Sequence, residues 1–174
     1  MSKEMIRIAN CSGFYGDKLS IAKEMVEGGP IDVLTGDYLA ELTMTILYNQ
    51  KMKRGEEHGY VGTFIKQFRD VAKISQDKNI KIVTNAGGLN PKSMAQEIEK
   101  VVDELNLDLK VSYIDGDNLI PEMEKLTKLG EKFSNLDKNI DLKDYSKKAI
   151  TANAYLGAWG CLLYTSPSPR DLAV

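Results

Sequence analysis

Two carboxylates and a phenol are the side chains of this chain most suited to chemistry. Asp37 and Asp115 each stand just after a short apolar run, and Tyr155 stands just after another. Carboxylates at neighbouring strand ends can orient a hydroxyl, act as a general base or bind a divalent cation, and a tyrosine hydroxyl can face a substrate from the same edge. Around them lie small polar residues that suit ligand contact: Asn10, Ser12, Gly13 and Gly16 after Ile6–Ala9, and Asn85, Gly87, Gly88 and Asn90 after Ile80–Thr84. Asn153 follows Ala149–Ala152 in the same way. Adjacent glycines after a strand permit left-handed backbone and close approach of a ligand, which makes Asn85–Asn90 the most informative cluster. The catalytic candidates are thus Asp37, Asp115 and Tyr155, and the other residues are ligand-binding candidates.

Each feature has a plainer explanation beside it. Asp37 and Asp117 sit where a helix N-cap is expected, and capping alone would account for an aspartate there. The stretch Asn10-Cys11-Ser12-Gly13-Phe14-Tyr15-Gly16-Asp17 is Gly-rich and opens a helix, so its backbone N–H groups could cradle a phosphate or carboxylate. It is neither a dinucleotide fingerprint, which needs a further preceding Gly, nor a P-loop, which needs Lys-Ser/Thr. Cys11 near a helix start has the position of a nucleophile, but a buried inert thiol is the stronger expectation, and His58 lies in a charged connector.

The elements that must position these residues alternate. Apolar runs predict strands near 6–9, 31–35, 80–85, 110–115 and 149–153. Helical spacing places Leu19, Ala22, Met25 and Val26 on one face after Asp17, and Leu39, Leu42, Ile46 and Leu47 on another after Asp37. Phe64, Phe68, Val71 and Ala72 mark a third helix. Asn90-Pro91 starts a fourth, with Met94, Ile98, Val101, Val102 and Leu105 inward, because Pro at the first helical position loses no hydrogen bond. A shorter helix is expected over roughly 122–129. Strands alternating with helices predict an α/β fold: a three-layer, mostly parallel sheet with helices on both faces, or else part of a (βα) barrel. Parallel strands share their C-terminal edge, so Asn10, Asp37, Asn85, Asp115 and Asn153 should gather on one rim.

Composition narrows the partners. With 174 residues, 43% hydrophobic and 28% charged, the chain can bury a core, and a net charge of −2 without a basic stripe argues against nucleic acid. No apolar run has membrane-spanning length and no signal-peptide core is visible, so a cytoplasmic protein without a membrane partner is expected. The eleven residues Cys161–Asp171 match the translation of a sequencing adapter, so Cys161–Val174 is read as a non-native tail on a truncated domain over 1–160. Such a fragment is expected to be marginally stable or oligomeric, and inactive. Without Cys161 there is one Cys and one His, too few for a Cys/His zinc site; no cofactor or metal is assigned.

At its polar clusters the chain resembles the N-terminal domain of the acyclic terpene utilisation family. Asn10 with Gly13–Asp17, the string Asp37-Tyr38-Leu39-Ala40-Glu41-Leu42-Thr43-Met44, Asn85–Pro91 and Ala154–Trp159 carry the resemblance, in order and across nearly all of 6–159. The resemblance implies a longer bacterial protein in the breakdown of branched acyclic terpenoids and their acyl-CoA derivatives, with the strand-end edge as its site. It supplies no reaction. The expected partner is a small-molecule substrate, acyl-CoA among the options, with a homo-oligomer open for the full-length form. An enzyme is the first reading; a non-catalytic ligand-binding or assembly subunit of an acyl-CoA degradation complex is the second.

Overall fold

The computed structural model describes residues 5–144 and 148–157. It divides into two compact units, Met1–Tyr113 and Ile114–Val174. The first carries three parallel strands, β1 (Ile8–Asn10), β2 (Val33–Gly36) and β3 (Lys81–Thr84), in spatial order β1-β2-β3. Between them run α1 (Ile21–Gly28), α2 (Glu41–Arg54) and α3 (Gly62–Asp77), and α4 (Pro91–Glu104) follows. The α/β class and the open parallel sheet are therefore present.

Register explains which side is filled. Ala9, Leu34 and Ile82 lie side by side across the strands and point into the core. Beneath them Ala22 and Val26 of α1 meet Val71 of α3, all buried. Consecutive parallel strands that are also neighbours send right-handed crossovers to the same side, so α1 and α3 pack together there and α4 packs on α3. A second cluster joins Leu47 of α2 to Val61, Phe64, Phe68, Ile98 and Val102. Each such aliphatic or aromatic side chain contributes about 1.5–3 kcal/mol through burial. The opposite face of the strands stays open, with Ile8 66% and Val83 53% exposed, so the helical cover of this unit lies on one face rather than two.

Helix ends follow local chemistry. Asn90 caps α4 by accepting from the Ser93 N–H at 3.1 Å, and Pro91 follows it as the sequence predicts. Asn79 and Asn106, with φ of 54° and 51°, close α3 and α4 in the same way. The N–H groups of Ile80 and Leu107 reach back to the carbonyls of Ser75 (2.8 Å) and Val102 (3.0 Å), and both chains turn inward. The buried faces of α3 and α4 are those expected, except that Leu105 lies outside. In α1 and α2 the stripe is narrower: Leu19 and Leu42 are exposed, and Thr43 joins Leu47 in the interior.

Two expected strands are absent. Along 107–112, Leu107, Leu109 and Val111 pack on the core while Asp108, Lys110 and Ser112 are exposed, an extended alternation without ladder bonds. The Asp108 N–H is bonded to the Gln76 side chain at 2.7 Å, which ties the segment to the end of α3. In the second unit, 149–153 forms no strand; Asn153 makes an isolated antiparallel bridge with Asn118. That unit holds α5 (Met123–Lys128) and short 3-10 turns at Ile120–Glu122 and Leu142–Asp144. The expected non-native tail, Cys161–Val174, lies outside the described residues. No helix among the described residues is long and apolar enough to cross a membrane.

Candidate functional site

The C-terminal ends of β1, β2 and β3 form a laced rim. Cys11 N–H donates to Thr35 O (2.8 Å), Asp37 N–H to Ser12 O (2.9 Å) and Asn85 N–H to Gly36 O (3.4 Å), so the loop after each strand is pinned to its neighbour. Asn10 donates from Nδ2 to Ser12 O at 2.8 Å and accepts from Thr35 Oγ1 at 3.0 Å. Ser12 is buried, with its hydroxyl on Phe14 O at 3.0 Å. The amide and hydroxyl groups of the rim thus build its own backbone.

The loop between β1 and α1 has an internal anion. Asp17 does not cap α1, which begins at Ile21 after Ser20. Its carboxylate accepts from Gly13 N–H at 3.1 Å and from Lys18 N–H at 2.8 Å, across a turn made by Gly16 at φ +105°. The expected phosphate or carboxylate cradle at Gly13 is therefore occupied by the chain's own carboxylate.

Asp37 is different. Capping does not explain it, since Ala40 is the N-cap of α2. Its Oδ1 accepts from Asn85 Nδ2 at 2.6 Å and, more loosely, from Leu39 N–H at 3.4 Å. Asn85 is itself fixed, because its Oδ1 accepts from Tyr38 N–H at 2.8 Å. Asp37 is exposed, and no group among the described residues bonds to its Oδ2. A carboxylate held by one oxygen and free at the other is a fixed acceptor, able to orient a hydroxyl or take a proton.

Below Asp37 lies a buried polar chain that sequence reasoning did not single out. Tyr38 donates to Gln67 Oε1 at 2.7 Å, and Cys11 Sγ lies 3.8 Å from the same hydroxyl. Gln67 Nε2 donates to Leu19 O at 3.3 Å, so one α3 side chain holds both the β1–α1 loop and the β2–α2 loop. Burial raises the Tyr38 phenol far above its ordinary range, helped by the adjacent Cys11. Burial also raises the Cys11 thiol, against the lowering effect of its bond with Tyr38. Cys11 is buried, as the sequence reading expects. The legible signal for Gln67 was a polar residue interrupting the apolar stripe of Phe64, Phe68 and Val71.

The Asn85–Asn90 loop faces its own protein more than solvent. A side chain at Gly87 would meet Pro91 at 2.7 Å, and one at Gly88 would meet Leu47 and the Gly59 carbonyl. The Gly88 φ is +53°. Val61 N–H bonds to Ala86 O and Leu89 N–H to Gly59 O, both at 2.8 Å, and Asn90 Nδ2 to Glu56 O at 2.8 Å. The glycines admit the α2–α3 connector, and His58 contributes only a carbonyl to Asn90, at 3.3 Å.

Asp115, Asn153 and Tyr155 belong to the second unit. Asn153 Nδ2 donates to Asp117 Oδ2 at 2.9 Å, which braces the bridge to Asn118. Asp115 is exposed and Tyr155 fully so. The shallow clefts of this unit are lined by α5 residues such as Glu124 and Lys128, and touch none of the candidates. Among the described residues no three His, Cys, Asp or Glu side chains converge as a metal site.

Strand order, the pinned loops and the motif strings all belong to one stretch of chain, and a family model matches that stretch. The model described as "Acyclic terpene utilisation family protein AtuA" matches residues 6–163. The chain belongs to the acyclic terpene utilisation family. Comparison with curated proteins and with solved structures returned no match. Family membership gives the chain a role in acyclic terpene utilisation and agrees with the resemblance carried by Asp37–Met44 and Asn85–Pro91.

Proposed function

We propose that the rim at the ends of β1, β2 and β3 is the ligand site, and that it takes a branched acyclic terpenoid-type molecule, carboxylated or CoA-linked, during bacterial catabolism in the cytoplasm. One observation carries this reading: Asp37 is fixed by Asn85 at Oδ1 and free at Oδ2, on the edge where parallel α/β sheets bind ligands. Asp37 is the acid–base group of this reading. Asn10, Ser12 and Asn85 hold its surroundings in place. Asp115 and Tyr155, in the second unit, stay proposed catalytic residues on their chemistry alone.

The test is amide and carboxyl NMR of the labelled chain with a branched acyclic terpenoid acid and its CoA thioester. Shifts should concentrate at residues 10–17, 37–39 and 84–86. Shifts elsewhere, or none, refute the site. A compound bound stoichiometrically without turnover by the full-length protein would favour the ligand-binding subunit over the enzyme.

A further inference from the structure

We propose that residues 108–112 are a strap that closes on the free edge of β3 as a fourth parallel strand, and that Gln76 holds it open through the Asp108 N–H. Closure is independent of what the rim binds. One edge of β3 has no neighbour, since β3 is the outermost strand of the described sheet. Lys81 and Asn85 donate to Asp32 O and Gly36 O of the β2 side. Parallel ladders alternate, so the N–H and C=O groups of Ile82 and Thr84 face away from β2, where no described strand meets them. Along 109–112 the backbone also makes no hydrogen bond among the described residues.

Three observations bring the two together. α4 packs on α3, so the right-handed crossover from β3 returns the chain to the outer side of β3. Gln76 lies in the last turn of α3, just ahead of β3, and its bond to Asp108 N–H at 2.7 Å sets the start of the strap beside the start of β3. Leu109 and Val111 join the core cluster that Ile82 also touches, while Lys110 and Ser112 stay exposed, as Val83 is. Matching core-facing residues, as Leu34 matches Ile82, sets Leu109 beside Ile82 and Val111 beside Thr84. In that register Ile82 N–H donates to Asp108 O, Lys110 N–H to Ile82 O, Thr84 N–H to Lys110 O and Ser112 N–H to Thr84 O. The Asp108 N–H opens the same row, toward Ile80 O, and Gln76 Oε1 takes it. Closure brings Ser112 level with Asn85 and adds a fourth strand end to the rim.

The experiment compares amide hydrogen exchange of the full chain by NMR in wild type and Gln76→Ala. Releasing Asp108 should slow exchange at Ile82, Thr84, Lys110 and Ser112 together, by ~10-fold, and bring cross-strand NOEs between 82–84 and 109–111. Lys110→Pro removes one ladder donor at an exposed position whose N–H bonds to no described residue. Added to Gln76→Ala, it should restore wild-type exchange at Ile82 and Thr84. Unchanged exchange at the four amides in Gln76→Ala overturns the proposal. So does slowing confined to Ile82 and Thr84 that grows with protein concentration, because a second chain then takes the edge. Slowing that survives Lys110→Pro overturns the register.

Discussion

Replacing Gly88 with alanine tests whether the glycine pair after β3 serves packing or ligand approach. At φ +53° an alanine adopts a left-handed conformation that costs about 1–2 kcal/mol. Its Cβ would collide with Leu47 Cδ1 and lie 2.9 Å from the Gly59 carbonyl oxygen. Leu47 is fully buried, and Gly59 O is a backbone atom already held by Leu89 N–H at 2.8 Å, so neither can retreat freely. Overpacking of this kind costs about 1–3 kcal/mol. The stiffer unfolded chain returns about 0.4–1 kcal/mol. The expected net loss is about 3 kcal/mol, a large share of a domain stability of about 5–15 kcal/mol. Urea unfolding followed by circular dichroism measures it. Gly13→Ala is the control, since a Cβ there meets nothing within 4 Å, and it should stay within about 0.5 kcal/mol. Leu47→Ala combined with Gly88→Ala should be less destabilising than the two singly added together, because one collision is gone; the Gly59 contact and the backbone strain persist. A Gly88→Ala protein as stable as wild type would refute the packing account and return the glycine to the ligand.

Other perturbations separate the buried network from the rim. Tyr38→Phe should cost about 1–3 kcal/mol by leaving Gln67 Oε1 without its donor, and adding Gln67→Leu should recover part of that loss; additive costs in a double-mutant cycle would show the 2.7 Å bond to be uncoupled. Asn85→Ala should release both Tyr38 N–H and Asp37, costing about 1 kcal/mol and speeding amide exchange at residues 37–39; unchanged exchange would refute the anchoring role. Because burial raises the Cys11 thiol and Tyr38 phenol, the folded state keeps protons that the unfolded chain releases. Their contribution is complete below about pH 8.5 and is lost as pH rises, so the urea midpoint should fall between about pH 8 and pH 10, less steeply in Cys11→Ala. A midpoint that rises over that range would refute it.

The legible part of this fold was what local chemistry decides. Asn90-Pro91 announces a helix start because capping and a missing N–H are properties of adjacent residues. Phe64, Phe68, Val71 and Ala72 announce a buried face because helical period and hydrophobicity coincide. The segment 107–112 shows the limit: its alternation is real, but alternation specifies an extended chain, and strand formation also needs a neighbour in register. Asp108 N–H bonded to Gln76 instead, a contact across 32 residues that no periodicity contains. Asp17 and Asp37 each precede a helical pattern in the sequence. Only the register of α1 and α2, starting at Ile21 and Glu41, shows that neither caps its helix.

Small polar residues at strand ends are necessary to a rim of this kind whether or not it binds anything. Parallel strands release their chains at one edge, and each released backbone group must find a partner. Asn10, Ser12, Thr84 and Asn85 do that work, which is why their presence alone does not define a site. A site is marked by hydrogen-bonding capacity left over once the backbone is satisfied. On this rim one oxygen of the Asp37 carboxylate has no bond from the described residues, and that residue's position is fixed from behind by Asn85 and, through Tyr38, by Gln67 in α3. Rigid support from the core beneath and an unmatched acceptor at the surface are independent conditions. Asp37 meets both; Asp17, with its carboxylate bonded to Gly13 and Lys18, meets neither, although the two aspartates look alike in the sequence.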